Sequence, residues 1–316
     1  MKIETRRLIR FGKSSLVLSL PKAWLDRNAL KKGDIVYLDE KTNEILVYPK
    51  IKDEVPEARI ITITTSNKDL RSIWRELNVA YINNFHTIIL TGSNIKEIAK
   101  ELREKIQNLM ALEIIEQTSS RIVTKDFLNV NEVSIENIIR KMDIIVRDML
   151  NDAKVSSKED IYYNIKHRDE DVNKLSFLVF RLVRHAMTNP SIQKKLNVDP
   201  NSLMTYWLLA TYLENLGDEA KRISGLLNET KFEKGQEEEA IEVISDIEKS
   251  YLEIMKAYYT ANKERALILA NNNKRLFIKC DEFFKKFRNH ETTPLMVEKM
   301  KNMTAVVHQM GRLVYT

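Results

Sequence analysis

Apolar residues recur every three or four positions through the C-terminal half of the chain. After Ser134 they stand at Ile135, Ile138, Ile139, Met142, Ile145, Val146, Met149 and Leu150. The same spacing continues through residues 172–183, 207–227, 241–258, 266–287 and 296–314. This periodicity predicts six amphipathic helices over residues 132–316. Turn signals such as Asn189-Pro190 and Lys234-Gly235 keep the loops short and favour two antiparallel three-helix bundles, about 132–230 and 236–316.

A different pattern occupies residues 59–128, where β-branched runs alternate with helical periodicity. Strands are predicted near residues 60–63 and 87–90, with weaker runs near 113–116 and 121–123. Helices are predicted over about 67–85, and from Ser93 or Asn94 to about 109. The alternation indicates a small α/β domain, and nothing in it resembles a catalytic site.

Residues 1–56 have short apolar runs and turn residues in place of long stripes. A strand-like run from Leu16 to Leu20 is followed by Pro21, which suits the first turn of a short helix. After a turn at Gly33, two further runs predict strands near 35–37 and 44–48. Because a β-β-α-β-β unit of about 50 residues buries too little surface to be stable alone, we expect it to oligomerise. The whole chain is predicted to be a multidomain α+β protein.

Composition narrows the class of protein. The 316 residues are 43% hydrophobic, which is enough for folded cores, and no apolar run approaches the roughly 20 residues that span a bilayer. We therefore expect a cytoplasmic protein without membrane insertion. Cys280 is the single cysteine and cannot form an internal disulfide. The chain has no nucleophile–base pair, glycine-rich phosphate loop or three-ligand metal motif, so we expect no enzyme, and a metal-dependent hydrolase is the least favoured alternative.

The excess positive charge is concentrated at the N-terminus. Residues 1–32 contain nine Lys and Arg against two acids, whereas the other 284 residues carry 42 basic and 43 acidic side chains. A basic module on a neutral body indicates an anionic partner for that module, most often nucleic acid. A solvated basic face and a different anionic partner are the alternatives.

The segment RRLIRFGKSSLVLSLPKAWLDRNALKKGD, residues 6–34, resembles the swapped-hairpin DNA-binding domain of the AbrB/SpoVT family. The resemblance rests on the basic first strand, FGKSS before an apolar strand, the LPKAWL start of the helix and the LKKGD turn. It implies a homodimer in which two chains interleave their strands, and in which arginines of the paired first strands contact duplex DNA. The DNA-binding residues that it implies here are Arg6, Arg7, Arg10, Lys13, Ser14, Ser15 and Lys22. Arginine binds phosphate or guanine edges bidentately, whereas lysine serves as a point charge.

Three stretches of the helical region are similar to the PhoU family, whose three-helix repeats carry acids spaced four residues apart. They are SIENIIRKMDIIVRDMLNDA (134–153), HRDEDVNKLSFLVFRLVR (167–184) and YLENLGDEAKRI (212–223). An AbrB-like head followed by PhoU-like helices is an arrangement seen in archaeal phosphate-regulation proteins. The expected link to phosphate homeostasis comes wholly from this resemblance.

The family's acids are associated with metal clusters, which implies a divalent or ferric metal ion in the first half of the helical region. The implied ligands are Asp169, Asn173, Glu214 and Asp218. Residues four apart share a helix face, so two antiparallel helices can bring such oxygens together, although an amide in place of a carboxylate lowers the affinity. The second half has His308 and Arg312 at the acid positions, so we expect at most one cluster. A solvated helix face is the alternative.

These features together predict a dimeric, DNA-binding transcription regulator involved in phosphate uptake. Its helical body would sense a signal or bind a phosphate transporter or signalling protein. The alternative is a PhoU-like adaptor that acts on a transporter or signalling kinase and whose basic head dimerises without binding DNA.

Overall fold

The computed structural model describes residues 4–13, 15–40, 44–49, 59–156 and 161–315, apart from the side chains of residues 39 and 271–273. It divides into two compact units, Met1–Glu57 and Ala58–Thr316. The predicted α+β class is confirmed, with a small β region first, an α/β layer next and helices last. The α/β layer and the helices both belong to the second unit, and the division into three domains stays a prediction.

Two antiparallel hairpins and a short helix form the first unit. In chain order they are β1 (Ile9–Phe11), β2 (Ser15–Val17), α1 (Lys22–Arg27), β3 (Tyr37–Glu40) and β4 (Ile45–Tyr48). The strand pairs are β1 with β2 and β3 with β4. Gly12 in the turn of the first hairpin has a φ of 71°, a left-handed conformation that glycine adopts without steric penalty. The order of these five elements is the predicted β-β-α-β-β order.

The first unit has no core of its own among the residues described at 4–13, 15–40 and 44–49. None of them is buried; Trp24, Leu25 and Leu46 are half-buried, and many of the other large apolar side chains are exposed. Phe11 is 69% exposed and Leu38 is 67% exposed. Strands whose apolar residues stay in water gain little from the hydrophobic effect, and the oligomerisation expected of this unit stays a prediction.

A four-stranded sheet packed against two helices begins the second unit. The elements are β5 (Ile60–Thr64), α2 (Leu70–Ile82), β6 (Thr87–Thr91), α3 (Ile95–Gln107), β7 (Leu112–Gln117) and β8 (Arg121–Asp126). The strand order is β5-β6-β8-β7, with β5 and β6 parallel and the other neighbours antiparallel. Leu77 and Ile106 from the helices share a core with Ile63, Ile88 and Leu90 from the strands.

Helix α2 begins three residues later than the sequence pattern indicated. Asn67 has a φ of 62°, which is left-handed and cannot belong to a right-handed helix. Asp69 is the N-cap instead, because its side chain accepts a hydrogen bond of 2.7 Å from the backbone N–H of Ser72.

Long helices fill the rest of the described chain and form two three-helix bundles. In order they are α4 (Ile135–Ala153), α5 (Tyr162–Thr188), α6 (Pro190–Leu196), α7 (Pro200–Glu229), α8 (Gln236–Tyr259), α9 (Lys263–Phe287) and α10 (Thr293–Tyr315). Helices α4, α5 and α7 pack as the first bundle, α8, α9 and α10 pack as the second, and α7 contacts α10. Within the described residues, no helix is both long and apolar enough to span a bilayer.

The short helix α6 lies where the sequence indicated turns. Asn189 caps it by accepting a 3.1 Å hydrogen bond from the backbone N–H of Ser191, and Pro190 occupies the first helical position. The Asn-Pro pair therefore starts a helix here, because proline at that position loses no hydrogen bond and its φ is already helical.

A buried carboxylate joins the two bundles. Asp143 in α4 accepts hydrogen bonds from the Tyr251 hydroxyl at 2.5 Å and the Tyr259 hydroxyl at 3.0 Å, both in α8. Arg147, one turn further along α4, binds the same carboxylate in a bidentate manner at 2.8 and 2.7 Å. Because a buried charge is tolerated only when it is paired and hydrogen-bonded, this network fixes the register of α4 against α8.

A second buried ion pair joins the sheet to the helices. Arg181 in α5 binds the Asp126 carboxylate at the end of β8 with both terminal nitrogens, one of them 2.9 Å from Oδ1. Its Nε donates to Asn84 Oδ1 at 3.1 Å, and its guanidinium lies 4.6 Å from the ring centroid of Tyr81. Burial raises the pKa of Tyr81 to about 12, so the hydroxyl stays protonated and donates to the Met110 carbonyl.

Candidate nucleic-acid interface and acid cluster

The basic residues of the first unit lie on and ahead of the β1–β2 hairpin. Arg10 is in β1, whereas Arg6 and Arg7 precede it, and Lys13 is in the turn. All four side chains are exposed, and so are Ser15 in β2 and Lys22 at the start of α1. Ser14 lies outside the described residues.

The hydrogen-bond partners of these cations are local. Arg6 forms an ion pair of 2.6 Å with Glu4, and Arg10 donates to the backbone carbonyl of Lys13 at 3.2 Å. Within the described chain, neither Arg7 nor Arg10 forms an ion pair with an acid. An exposed ion pair of this kind contributes about 0–1 kcal/mol, so Arg6 can exchange Glu4 for a phosphate at little cost.

The acid positions of the helical region meet around a lysine. Asp169 in α5 and Asp218 in α7 both accept hydrogen bonds from Lys221 Nζ, at 2.5 and 2.7 Å. Asn173 Nδ2 donates to the same oxygen of Asp169 at 3.4 Å, and Glu214 lies one turn before Asp218 on α7. We call Asp169, Glu214, Asp218 and Lys221 the acid cluster.

The pKa values of the three carboxylates diverge because their surroundings differ. Burial raises the pKa of Glu214 to about 7, and the charges of Asp218 and Asp169 add to the shift. Burial, with the neighbouring Asp218 adding to it, also raises the pKa of Asp169 against the opposing effect of Lys221. For Asp218, burial raises the pKa, but Lys221, the charge of Arg222 and a hydrogen bond with Asp169 together lower it further. Asp218 differs from Asp169 by its second cation, because Arg222 binds its other oxygen at 2.8 Å.

Lys221 is the member of the acid cluster that the sequence interpretation missed. It follows Asp218 by three positions and Glu214 by seven, so all three share one face of α7. That spacing is readable from the sequence and would have placed an ammonium among the acids.

Metal-ligand geometry is absent from the part of the chain that the structure describes. There, no group of three or more His, Cys, Asp and Glu side chains could hold a metal ion. In the second bundle, His308 Nδ1 is buried and has no hydrogen-bond partner among the described residues. Burial, and after it the charge of Arg312, lowers the pKa of this histidine. The metal ion at Asp169, Asn173, Glu214 and Asp218 stays a prediction.

Comparison with known protein families finds two separate matches. Residues 9–54 match the family model described as antidote-toxin recognition MazE, bacterial antitoxin. Residues 139–227 match the PhoU domain. Arg10 and Lys13 lie within the MazE-like segment, whereas Arg6 and Arg7 lie just ahead of it. These two matches, the first to a MazE/AbrB-like domain, confirm the predicted resemblance to an AbrB-like head followed by PhoU-like helices.

Among solved structures, the chain is similar to the crystal structure of PhoU from Pseudomonas aeruginosa. The two are 15% identical with a TM-score of 0.44, and the match covers 57% of this chain and 93% of that one. No curated protein matches the chain. The PhoU-like match at 139–227 spans most of the first bundle, including the four predicted metal ligands.

Proposed function

We propose that this protein is a dimeric DNA-binding regulator of phosphate uptake. Its MazE-like head would bind the DNA duplex. Its PhoU-like helices would sense a signal or bind a phosphate transporter or signalling protein. The observation that carries the proposal is the first hairpin, which presents exposed cations beside apolar residues that have no cover within the described chain.

Dimerisation follows from the exposed apolar residues. Directly opposed residues of an antiparallel pair share a face, so Ile9 lies with Val17 on one side of the hairpin. Large apolar side chains also remain exposed in β3 and β4, including Leu38 and Ile45. A second copy of the same unit carries the complementary strands and supplies the missing core, as two-fold interfaces require.

DNA binding follows from doubling the cations. Two copies of Arg6, Arg7, Arg10 and Lys13 provide roughly eight positive side chains without a buried partner. A protein that neutralises about 6–10 phosphates loses about 10³- to 10⁵-fold in affinity between 50 and 200 mM salt.

Fluorescence anisotropy with fragmented genomic DNA at these two salt concentrations tests the proposal. We expect tight binding at low salt that weakens by about 10³-fold or more at high salt. The triple variant Arg6→Ala, Arg7→Ala, Arg10→Ala should lose binding and still sediment as a dimer. The matched control Lys96→Ala, Lys100→Ala, Arg103→Ala removes three exposed cations from α3 and should bind as the wild type does. Equal binding by the two triple variants would refute the assignment of the hairpin.

The second candidate function is an adaptor whose head dimerises or binds protein without binding DNA. The description of the matched MazE family, which names antidote-toxin recognition, favours this function because it indicates a protein partner. A wild-type dimer that binds no DNA at 50 mM salt would select this function.

A further inference from the structure

We propose that Lys221, and not a metal ion, is the resident cation of the acid cluster. The PhoU-like bundle then holds these carboxylates together without a metal, and any signal that it receives does not depend on metal occupancy. This inference concerns the helices alone and stands whether or not the head binds DNA.

The first argument is the position of the ammonium. Lys221 Nζ lies 2.5 Å from Asp169 Oδ2 and 2.7 Å from Asp218 Oδ1, so its ammonium bridges the carboxylates of α5 and α7. Its side chain is only 24% exposed, which excludes a freely mobile surface lysine. These are short, charge-assisted hydrogen bonds, roughly twice as strong as neutral ones.

The second argument concerns the carboxylate oxygens that remain. Arg222 Nη2 binds Asp218 Oδ2 at 2.8 Å, so both oxygens of this carboxylate already face a cation. Asn173 Nδ2 donates at 3.4 Å to the same Asp169 oxygen that Lys221 binds, so that oxygen already has two donors. Hard cations such as Mg²⁺ and Mn²⁺ require several oxygens directed at one point, and the described cluster has no such set.

The third argument is the charge count. Asp169, Glu214 and Asp218 bring at most three negative charges, and Glu219, which Arg222 also binds at 2.8 Å, brings a fourth, whereas Lys221 and Arg222 supply two positive ones. A divalent ion added beside the ammonium would be repelled by it, and this repulsion would offset part of its attraction to the acids.

Metal content and chelation of the full-length protein give the first test. Protein expressed in medium supplemented with iron, manganese and zinc should carry far less than one metal atom per chain by mass spectrometry. Its thermal midpoint should not change on adding EDTA. A stoichiometric metal that disappears in the Asp218→Asn variant would overturn the proposal.

Substitution of Lys221 gives the second test. Lys221→Met should lower the thermal midpoint, and adding Asp169→Asn in the same chain should restore part of the loss, because one unpaired carboxylate is removed. The matched control Lys249→Met removes a lysine that is 74% exposed and 3.5 Å from Asp246, and it should change little. A Lys221→Met variant no less stable than the control would overturn the proposal.

Metal titration of the same variants separates a resident cation from an ordinary salt bridge. Mn²⁺ or Zn²⁺ should bind Lys221→Met at least about tenfold more tightly than the wild type or Lys249→Met, because the substitution frees the Asp169 and Asp218 oxygens that the ammonium occupies and removes its positive charge. Equal affinity for all three proteins would show that the ammonium does not occupy the cation position.

Discussion

The buried ion pair between Arg181 and Asp126 provides the sharpest test of how the second unit is held together. The side chain of Arg181 is 2% exposed and that of Asp126 is 8% exposed. Replacing Arg181 with Met keeps most of the volume but leaves the Asp126 carboxylate with the backbone N–H of Leu128 as its remaining donor, at 3.1 Å. It also leaves Asn84 Oδ1 without its bond from Nε and removes the cation from the face of Tyr81.

The expected cost follows from burial. Removing one partner of a buried ion pair destabilises a protein by about 3–5 kcal/mol, because the other charge stays buried without compensation. At about 2 °C per kcal/mol for a unit of this size, the thermal midpoint should fall by about 6–10 °C. Differential scanning calorimetry at pH 7 measures this shift directly.

A matched exposed pair separates burial from the loss of an ion pair as such. Arg265 binds Glu253 at 2.5 Å, but its side chain is 50% exposed, so Arg265→Met should cost about 0–1 kcal/mol. The double variant Arg181→Met, Asp126→Asn should recover part of the loss, since no unpaired charge remains. If Arg181→Met and Arg265→Met lower the thermal midpoint equally, the buried ion pair does not hold the sheet to α5 in the way inferred here.

Two further predictions concern the buried polar groups of the second unit. Burial lowers the pKa of both His86 and His185, and for His185 the charge of Arg181 lowers it further. The folded protein therefore binds fewer protons than the unfolded chain, so its stability should fall as the pH drops below about 6.5. Thermal midpoints measured at pH 7.5 and 5.5 should show this fall, and the double variant His86→Gln, His185→Gln should reduce it. An unchanged slope in that variant would contradict the assignment. Separately, Tyr251→Phe removes the 2.5 Å hydrogen bond to Asp143 and should cost about 1–3 kcal/mol in urea denaturation. Tyr258→Phe is its control, because that hydroxyl has no hydrogen-bond partner within the described residues, and this variant should lose less than about 0.5 kcal/mol of unfolding free energy. Equal losses in the two variants would refute the conclusion that Asp143 holds α4 against α8.

The helical region shows how far sequence periodicity reaches. Six apolar stripes predicted six long helices and the split near Gly235, because a helix face that packs in a core must repeat every 3.6 residues. The same reasoning missed α6, since a seven-residue helix that begins at Pro190 carries too few apolar positions to show a periodic pattern. Asn189 starts this helix by capping it with a side-chain hydrogen bond, and a pattern of apolar positions does not show such a bond.

The acid cluster shows a limit of predicting a site from a sequence motif. The i, i+4 spacing correctly placed Glu214 and Asp218 on one face of α7. It did not establish which cation that face attracts, because the answer depends on how close α5 brings Asp169 to Lys221. Spacing along one helix is fixed by the chain, whereas a distance between two helices is set by packing.

The sequence by itself determined the succession of elements, the basic head and the two family resemblances, since each is a local property of neighbouring residues. Only the tertiary structure decided that Arg181 joins the sheet to α5 and that Asp143 joins α4 to α8, because their partners lie 55 to 116 residues away along the chain. It also revealed that the first hairpin leaves its apolar side chains uncovered. Burial depends on how the folded elements pack, so the sequence alone does not show which side chains remain in contact with water.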